Sequence, residues 1–311
     1  MTLRLRYAAF AVVPFASALL AVSPSLAASW QNGVNYGGSG GPGMDLYVPD
    51  KVDASPGVIV VLHYCGGNSG ATHGWLQSLS DMHGFIVVAP NVGGGKNCWN
   101  ATPTRGGELA SIVQMVEYVI EEKGADPKRV FAAGASSGAC MTNALAAAYP
   151  EVFAGGSVLA GVPAGQWMGG NTCGVCSQNP PNKTGAEWGD IVRKASPDFT
   201  GTRPKMQLWH GTGDTTLNYP NLAEEVDQWT NVHMVSEANA TKESNEPSQG
   251  WDRTSYKDGS GGVVVEVNIG NGKPHDLTGV GLWPDVVRFF GLDMDEPAGG
   301  GSGGAGGTGG V

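Results

Sequence analysis

The feature that most constrains the fold is Ser136, which sits in the sequence GASSG over 134–138. An apolar run over 130–133 precedes it, and small helix-forming residues follow it as far as Pro150. A serine in a sharp strand-to-helix turn needs glycine on either side, because larger residues would hold the two backbones apart. A chain with 50 glycines can contain this pentapeptide by chance, so the flanking strand and helix are what predict a nucleophile elbow.

The remaining apolar runs predict a parallel sheet. Continuous, β-branched runs typical of strands buried on both faces lie at 58–62, 85–89, 130–133, 206–209 and 263–267. After the second run, apolar residues recur at helical spacing and predict a helix that ends at Gly124. A closing helix is predicted over 283–290. Strands that alternate with helices predict an α/β fold, an α/β-hydrolase with a mainly parallel central sheet and helices on both faces. Residues 162–195 are predicted to be a long excursion over the sheet.

Both ends of the chain are predicted to lie outside this domain. Residues 1–27 combine two arginines, an apolar stretch and Ser-Leu-Ala, as in a secretory signal peptide cleaved after Ala27. A membrane anchor is the alternative, but Pro14 and the short apolar core argue against a stable span. Residues 297–311 are nearly all Gly, Ser, Ala and Thr, which predicts a flexible tail or linker. The prediction is a secreted protein with one domain at 28–296.

The charge of the chain bears on its partners. The formal net charge is −10 and no dense stripe of Lys and Arg occurs, which disfavours nucleic acid and anionic membranes as partners. A neutral or apolar substrate fits better. The nine tryptophans either form stacking platforms for sugar rings or aromatic acids, or fill the core.

Five cysteines in an exported chain favour disulfides over metal ligands or redox thiols. Many pairings are possible. We predict Cys65 with Cys98, since each follows a predicted strand, and Cys173 with Cys176 as a tight local loop, which leaves Cys140 as a buried thiol. The spacing of Cys173 and Cys176 also fits zinc or thioredoxin-like chemistry, but no second pair of ligands supports that alternative.

A serine nucleophile needs a base to take its proton and a carboxylate to orient that base. In an α/β-hydrolase both follow the serine in the chain. The Gly-rich loop after the last strand delivers His275, and the turn His-Gly-Thr-Gly-Asp over 210–214 delivers Asp214, both to the carboxyl edge of the sheet. We therefore predict Ser136, His275 and Asp214 as the catalytic triad. Asp276 is a rival acid, but as a direct neighbour of the histidine it is poorly placed to reach the ring.

The oxyanion of a tetrahedral intermediate needs two preorganised donors. The backbone N–H of Ser137 is one candidate. The other is predicted in the loop after the first long strand, where the backbone N–H of Cys65 is placed best. A bridge from Cys65 to Cys98 would stiffen this loop.

Several segments resemble a known family. These are VIVVLHYCGG, HGFIVVAPN, NCWN, KRVFAAGASSGACMTNALAAAYPEVFAG, RPKMQLWHGTGDTTL and GKPHD. Together they resemble the secreted esterases grouped with polyhydroxybutyrate depolymerases, most closely acetylxylan esterases of carbohydrate esterase family 1, with feruloyl esterases nearby. The resemblance covers most of 45–292 and implies the same triad and the same oxyanion loop at Cys65. The residues after His275 depart from the family's His-Thr-Val-Pro run.

The resemblance implies a secreted serine esterase that removes acetyl groups from xylan, a plant cell-wall polysaccharide, without a metal or other cofactor. Tyr64, Trp99 and Trp209 are predicted to contact the substrate. A deep aromatic acyl pocket would instead favour feruloyl esters, and a flat apolar rim would favour polyhydroxyalkanoate. A catalytically silent carbohydrate-binding protein on the same fold is the alternative from another class. The C-terminal linker would suit attachment to a carbohydrate-binding module.

Overall fold

Strands and helices alternate through residues 28–38, 41–92, 98–167 and 180–293, the part of the chain that the computed structural model describes. In chain order the elements are β1 (Gly43–Tyr47), β2 (Val58–Leu62), α1 (Ser69–His83), β3 (Ile86–Asn91), α2 (Gly107–Lys123), β4 (Val130–Ala135), α3 (Ser137–Ala148), β5 (Gly155–Leu159), α4 (Gly185–Ala195), β6 (Lys205–Gly211), α5 (Asn221–His233), a short 3₁₀ helix (Glu237–Asn239), β7 (Ala240–Ser244), β8 (Trp251–Lys257), β9 (Val263–Gly270) and α6 (Trp283–Phe290).

Within these ranges, one nine-stranded sheet has the order β1-β3-β2-β4-β5-β6-β9-β8-β7. The central strands from β3 to β9 in that order run parallel, while β1, β8 and β7 are antiparallel to their neighbours. The carboxyl ends of the parallel strands therefore meet at one edge of the sheet. This is the edge at which ligands bind in open α/β sheets.

The core lies on both faces of the sheet. Along β2, residues Val58, Val60 and Leu62 pack with α2 and α3, whereas Ile59 and Val61 pack on the opposite face with α1 and α6. All five are fully buried. Because successive strand side chains point to opposite faces, a continuous apolar run is what a strand covered by helices on both sides requires. The predicted α/β-hydrolase architecture is confirmed.

The predicted strands and the closing helix are present with small differences in their bounds. The helix after β3 ends at Lys123 with Gly124 in the left-handed region (φ 69°), and α6 spans the predicted residues with a proline in its first turn. Within the predicted excursion at 162–195, residues 185–195 form a helix that the sequence analysis did not predict. A capping box explains this helix: Thr184 caps its first turn and Glu187 caps the backbone of Thr184 in return.

The turn between β4 and α3 depends on two glycines. A Cβ on Gly134 would lie 2.5 Å from the backbone of Gly138, and a Cβ on Gly138 would lie 2.2 Å from the carbonyl oxygen of Leu62. The start of α3 thus rests directly on the end of β2. The predicted reason for small residues at these two positions is confirmed.

We expect Gly138→Ala to lower the free energy of unfolding by about 3 kcal/mol, because the added methyl overlaps the backbone at the end of β2. Gly74→Ala is the matched control. Gly74 lies in an exposed part of α1, where a Cβ meets nothing within 4 Å, so alanine should stabilise the helix by about 0.5–1 kcal/mol. Denaturant unfolding of both variants measures the difference, and equal stability would contradict the close contact.

Candidate active site

Ser136 occupies the strained turn that its sequence predicts. Its backbone has φ 56° and ψ −119°, a conformation that costs a non-glycine residue about 1–3 kcal/mol. Its N–H donates to the carbonyl oxygen of Leu159 at 2.9 Å, at the end of the neighbouring strand β5. The surrounding sheet holds the serine in this turn, where its hydroxyl group faces an open cleft.

A chain of hydrogen bonds links three side chains across this edge of the sheet. The hydroxyl of Ser136 lies 2.9 Å from Nε2 of His275. Nδ1 of His275 lies 2.7 Å from Oδ2 of Asp214. With the imidazole neutral, Nδ1–H donates to the carboxylate and Nε2 accepts from the serine hydroxyl. The structure thus brings the three predicted residues together in the order serine, histidine, acid.

Asp214 is a buried carboxylate with all its acceptor positions in use. Oδ1 accepts from the backbone N–H groups of Thr216 (2.8 Å) and Leu217 (3.0 Å), and Oδ2 accepts from His275 and from Nε2 of His210 at 3.1 Å. Burial alone would raise the pKa of Asp214, but the hydrogen bonds that its carboxylate accepts from the two histidines hold the pKa well below its usual range. The ionised group therefore stabilises the fold above the ordinary aspartate pKa, and this contribution is lost only as the pH falls through the depressed value.

The loops that carry Asp214 and His275 are joined to each other. A Cβ on Gly211 would lie 2.1 Å from the carbonyl oxygen of Lys273. That oxygen accepts from the N–H of Gly213 at 3.0 Å, and the N–H of Thr212 donates to Gly270 at 2.9 Å. The glycines at the end of β6 and in the following turn therefore permit a close approach of two loops. The sequence analysis predicts only the turn.

Cys65 lies in the loop after β2 and is joined to Cys98 by a disulfide. The predicted pairing is confirmed. Within the loop, the N–H of Gly67 donates to Tyr64 at 3.0 Å. The crosslink and this turn hold the loop in place against the cleft.

Trp99 and His63 support this loop from inside the protein. Nε1–H of Trp99 donates to the carbonyl oxygen of His63 at 2.9 Å. His63 accepts from the N–H of Val92 through Nε2 and donates from Nδ1 to the carbonyl oxygen of Tyr64. The prediction that Trp99 contacts the substrate is wrong, because its side chain is fully buried and its indole N–H is used within the loop support.

Trp209 is likewise not a substrate contact. It is fully buried in β6 and packs edge-on against Trp251, with ring centres 5.3 Å apart. A residue inside a strand that is covered on both faces has no surface left for a ligand. Tyr64, in contrast, is 39% exposed and lines the cleft beside Ser136, so its contact with the substrate stays a prediction.

The two predicted oxyanion donors lie next to the serine. Ser137 is the first residue of α3, and the first N–H groups of a helix have no acceptor within the helix. Cys65 lines the same cleft as Ser136. A Cβ on Gly138 would lie 2.7 Å from the carbonyl oxygen of His63, so the loop with Cys65 lies against the start of the helix.

The cleft above Ser136 has a volume of about 340 Å³. Both apolar and polar residues line it: Tyr64, Cys65, Ala135, Ser136, Thr216, His275, Asp276, Leu277 and Thr278. The side chain of Asp276 accepts from the N–H and hydroxyl of Thr278. This rival acid thus closes a turn in the cleft wall, while Asp214 binds the imidazole.

The other predicted cysteines have different positions. Cys140 is a buried free thiol on α3, as predicted, and burial raises its pKa. Cys173 and Cys176 lie outside the described residues. Among the residues that are described, no group of three or more His, Cys, Asp and Glu side chains is arranged to hold a metal ion. None of the helices in the same ranges is long and apolar enough to cross a bilayer.

Removal of the crosslink should destabilise the protein. The bridge joins residues 33 positions apart, and a loop of this length contributes about 3–4 kcal/mol in the chain-entropy view. We expect the double variant Cys65→Ala, Cys98→Ala to lose about this much free energy of unfolding in a denaturant titration. Cys140→Ala removes a thiol without a crosslink and should lose less. Equal losses would show that the bridge does not stabilise the fold.

Comparison with known proteins agrees with this architecture. The family described as Esterase PHB depolymerase matches residues 44–172. The chain is 39% identical over 268 residues to an acetylxylan esterase of Coprinopsis cinerea, which covers 80% of this chain and 69% of that protein. It is 36% identical over 274 residues to feruloyl esterase B of Talaromyces funiculosus, covering 83% and 77%.

A solved structure is similar over the same region. The acetyl xylan esterase from Aspergillus awamori superposes with a TM-score of 0.78 at 32% identity, covering 85% of this chain and 99% of that one. Sequence and fold thus agree over most of the described domain. The chain therefore belongs to the family that includes the Esterase PHB depolymerases and these acetylxylan and feruloyl esterases, and it is a carboxylic ester hydrolase.

Proposed function

We propose that this protein is a secreted serine esterase that removes acetyl groups from acetylated xylan through an acyl-serine intermediate. The observation that carries the proposal is the contact of 2.9 Å between the hydroxyl of Ser136 and Nε2 of His275, because a serine becomes a nucleophile only beside a base that can take its proton. Relatives named acetylxylan esterase support the substrate.

In the first half of the reaction, Nε2 of His275 takes the proton of Ser136 while Oγ bonds to the acetyl carbonyl carbon. The negative charge that develops on the carbonyl oxygen is stabilised by the backbone N–H groups of Cys65 and Ser137. His275 then passes the proton to the xylan oxygen, the bond from carbon to that oxygen breaks, and the sugar hydroxyl leaves.

In the second half, water replaces the sugar. His275 takes a proton from the water as its oxygen attacks the acyl carbon, and returns that proton to Oγ of Ser136 as acetate leaves. The positive charge on the imidazole in both halves lies 2.7 Å from the carboxylate of Asp214. The depressed pKa of Asp214 keeps this group ionised, so it stabilises the imidazolium at each step.

The triad assignment predicts two large losses of activity. We expect Ser136→Ala to lower kcat on 4-nitrophenyl acetate at least about 10⁴-fold, because the nucleophile is removed. Asp214→Asn should cost about 10⁴-fold, since an amide can fix the imidazole in the wrong tautomer. Steady-state kinetics measures both, and a Ser136→Ala protein with wild-type kcat would refute the mechanism.

The pH profile tests the charge of Asp214. Because its pKa is held far below the usual range, the loss of activity at acidic pH should reflect one protonation, that of the base His275. On the acidic side of the profile, a plot of log(kcat/KM) against pH should therefore have a slope of one for the wild type. A second protonation near the ordinary pKa of aspartate would contradict the ionised carboxylate.

A second candidate substrate is a feruloyl ester of xylan. The cleft of about 340 Å³ is much larger than an acetyl group, and the half-exposed ring of Tyr64 and the side chain of Leu277 lie on its wall. Such a wall can hold an aromatic acid. The relative named feruloyl esterase B supports this reading.

Release assays separate the two substrates. We expect the mature protein to release acetate from acetylated xylan in a serine-dependent way and to release little ferulate from methyl ferulate. Ser136→Ala is the matched control for both. Serine-dependent ferulate release with no acetate release would establish the feruloyl substrate instead.

The proposal includes the arrangement of the whole chain. Residues 1–27 are proposed as the signal peptide, 28–296 as the esterase domain and 297–311 as a tail or linker that would suit attachment to a carbohydrate-binding module. Residues 1–27 and 294–311 lie outside the described residues.

A further inference from the structure

A second histidine contacts the carboxylate that binds His275. His210 lies near the end of β6 and is fully buried. Its Nε2 is 3.1 Å from Oδ2 of Asp214 and 2.8 Å from the carbonyl oxygen of Leu217. Both neighbours are acceptors, so Nε2 carries the proton and donates to them.

The other ring nitrogen fixes the state of this histidine. Nδ1 of His210 is buried and has no hydrogen-bond partner among the described residues. A second proton there would find no acceptor, and an unpaired buried donor is costly. His210 is therefore a neutral imidazole with one tautomer. The ring of Tyr219 packs edge-on against it, with centres 6.1 Å apart.

The contacts of His210 close a small network around Asp214. Leu217 donates its N–H to Oδ1 of Asp214, while its carbonyl oxygen accepts from His210. The N–H of Tyr219 donates to the backbone carbonyl of Asp214 at 3.2 Å. His210 therefore contacts both the carboxylate and the turn from which the carboxylate extends.

We propose that His210 is a positioning residue whose Nε2–H holds Oδ2 of Asp214 in line with Nδ1 of His275. The proposal rests on the proposed serine mechanism. Without this donor, Oδ2 keeps only the hydrogen bond from His275, and the carbonyl oxygen of Leu217 loses its side-chain donor on β6. Small displacements of a catalytic group lower the rate of the chemical step more than they lower substrate affinity.

A series of substitutions tests the role of the donor. His210→Gln places an amide N–H near the position of Nε2, whereas the amide of His210→Asn reaches only near the position of Nδ1. His210→Leu removes the donor and keeps apolar volume. On 4-nitrophenyl acetate we expect the Asn and Leu variants to lose about 100-fold in kcat with KM changed less than twofold, and the Gln variant to stay within about threefold of the wild type.

His233→Leu is the matched control. His233 donates from a half-buried ring to the carbonyl oxygen of Pro204 at 2.9 Å, which is also a histidine contact to a backbone carbonyl but far from Ser136 in the fold. Its loss should lower thermal stability as much as His210→Leu does, with kcat unchanged. A kcat loss of similar size in this control would show that lower stability alone explains the loss of activity in the His210 variants.

A spectroscopic measurement reports on the same hydrogen bond. The proton shared by Nδ1 of His275 and Asp214 should give a low-field proton NMR signal in the wild type and in His210→Gln. In His210→Asn that signal should move upfield or be lost. Equal kcat and equal spectra for the Gln and Asn variants would overturn the proposal.

Ser136→Ala separates this proposal from the one on which it rests. If Ser136→Ala is inactive and all the His210 variants keep the kcat of the wild type, only the positioning role fails. If Ser136→Ala keeps wild-type activity, the serine mechanism itself fails.

Discussion

The contact between the start of α3 and the end of β2 determines the rest of the site. It exists because Gly138 has no side chain to separate the helix from the carbonyl oxygen of Leu62. The same contact lets Ser136 turn sharply between strand and helix, and it brings the first N–H of the helix beside the loop with Cys65. The positions of the proposed nucleophile and of the proposed oxyanion donors thus depend on the same close backbone contact. A single methyl group at this contact would displace all of them.

The second constraint on the site is the negative charge of Asp214. Asp214 is the buried carboxylate of the site, and two backbone N–H groups and two imidazoles saturate it. Hydrogen bonds to an ionised carboxylate favour that ionised form, which opposes the cost of burial. The result is a fixed negative charge beside His275. In the proposed mechanism, an imidazolium formed during turnover therefore meets an environment that needs no reorganisation.

The sequence could predict those elements that a short run of neighbouring residues identifies. The central strands are continuous apolar runs, and the turn at Ser136 needs glycines on either side, so both could be found from the chain alone. Strand β5 was missed because it begins with Gly155 and Gly156, which carry no apolar pattern; a Cβ on Gly155 would lie 2.9 Å from the backbone of β6. The burial of Trp99 and Trp209 depends on tertiary packing, which residue type does not encode. The role of His210 was missed because its spacing from Asp214 suggested only a turn.

The joined loops after β6 and β9 have a consequence for how such an enzyme can change. The backbone hydrogen bonds between the two loops end at Lys273, before His275, while the cleft wall continues through Asp276, Leu277 and Thr278. Substitutions in that wall can alter which acyl group fits without disturbing the distance between acid and base. The departure of these residues from the family's usual run is therefore compatible with an intact triad. Substrate preference and catalytic geometry can thus evolve on separate segments of one loop.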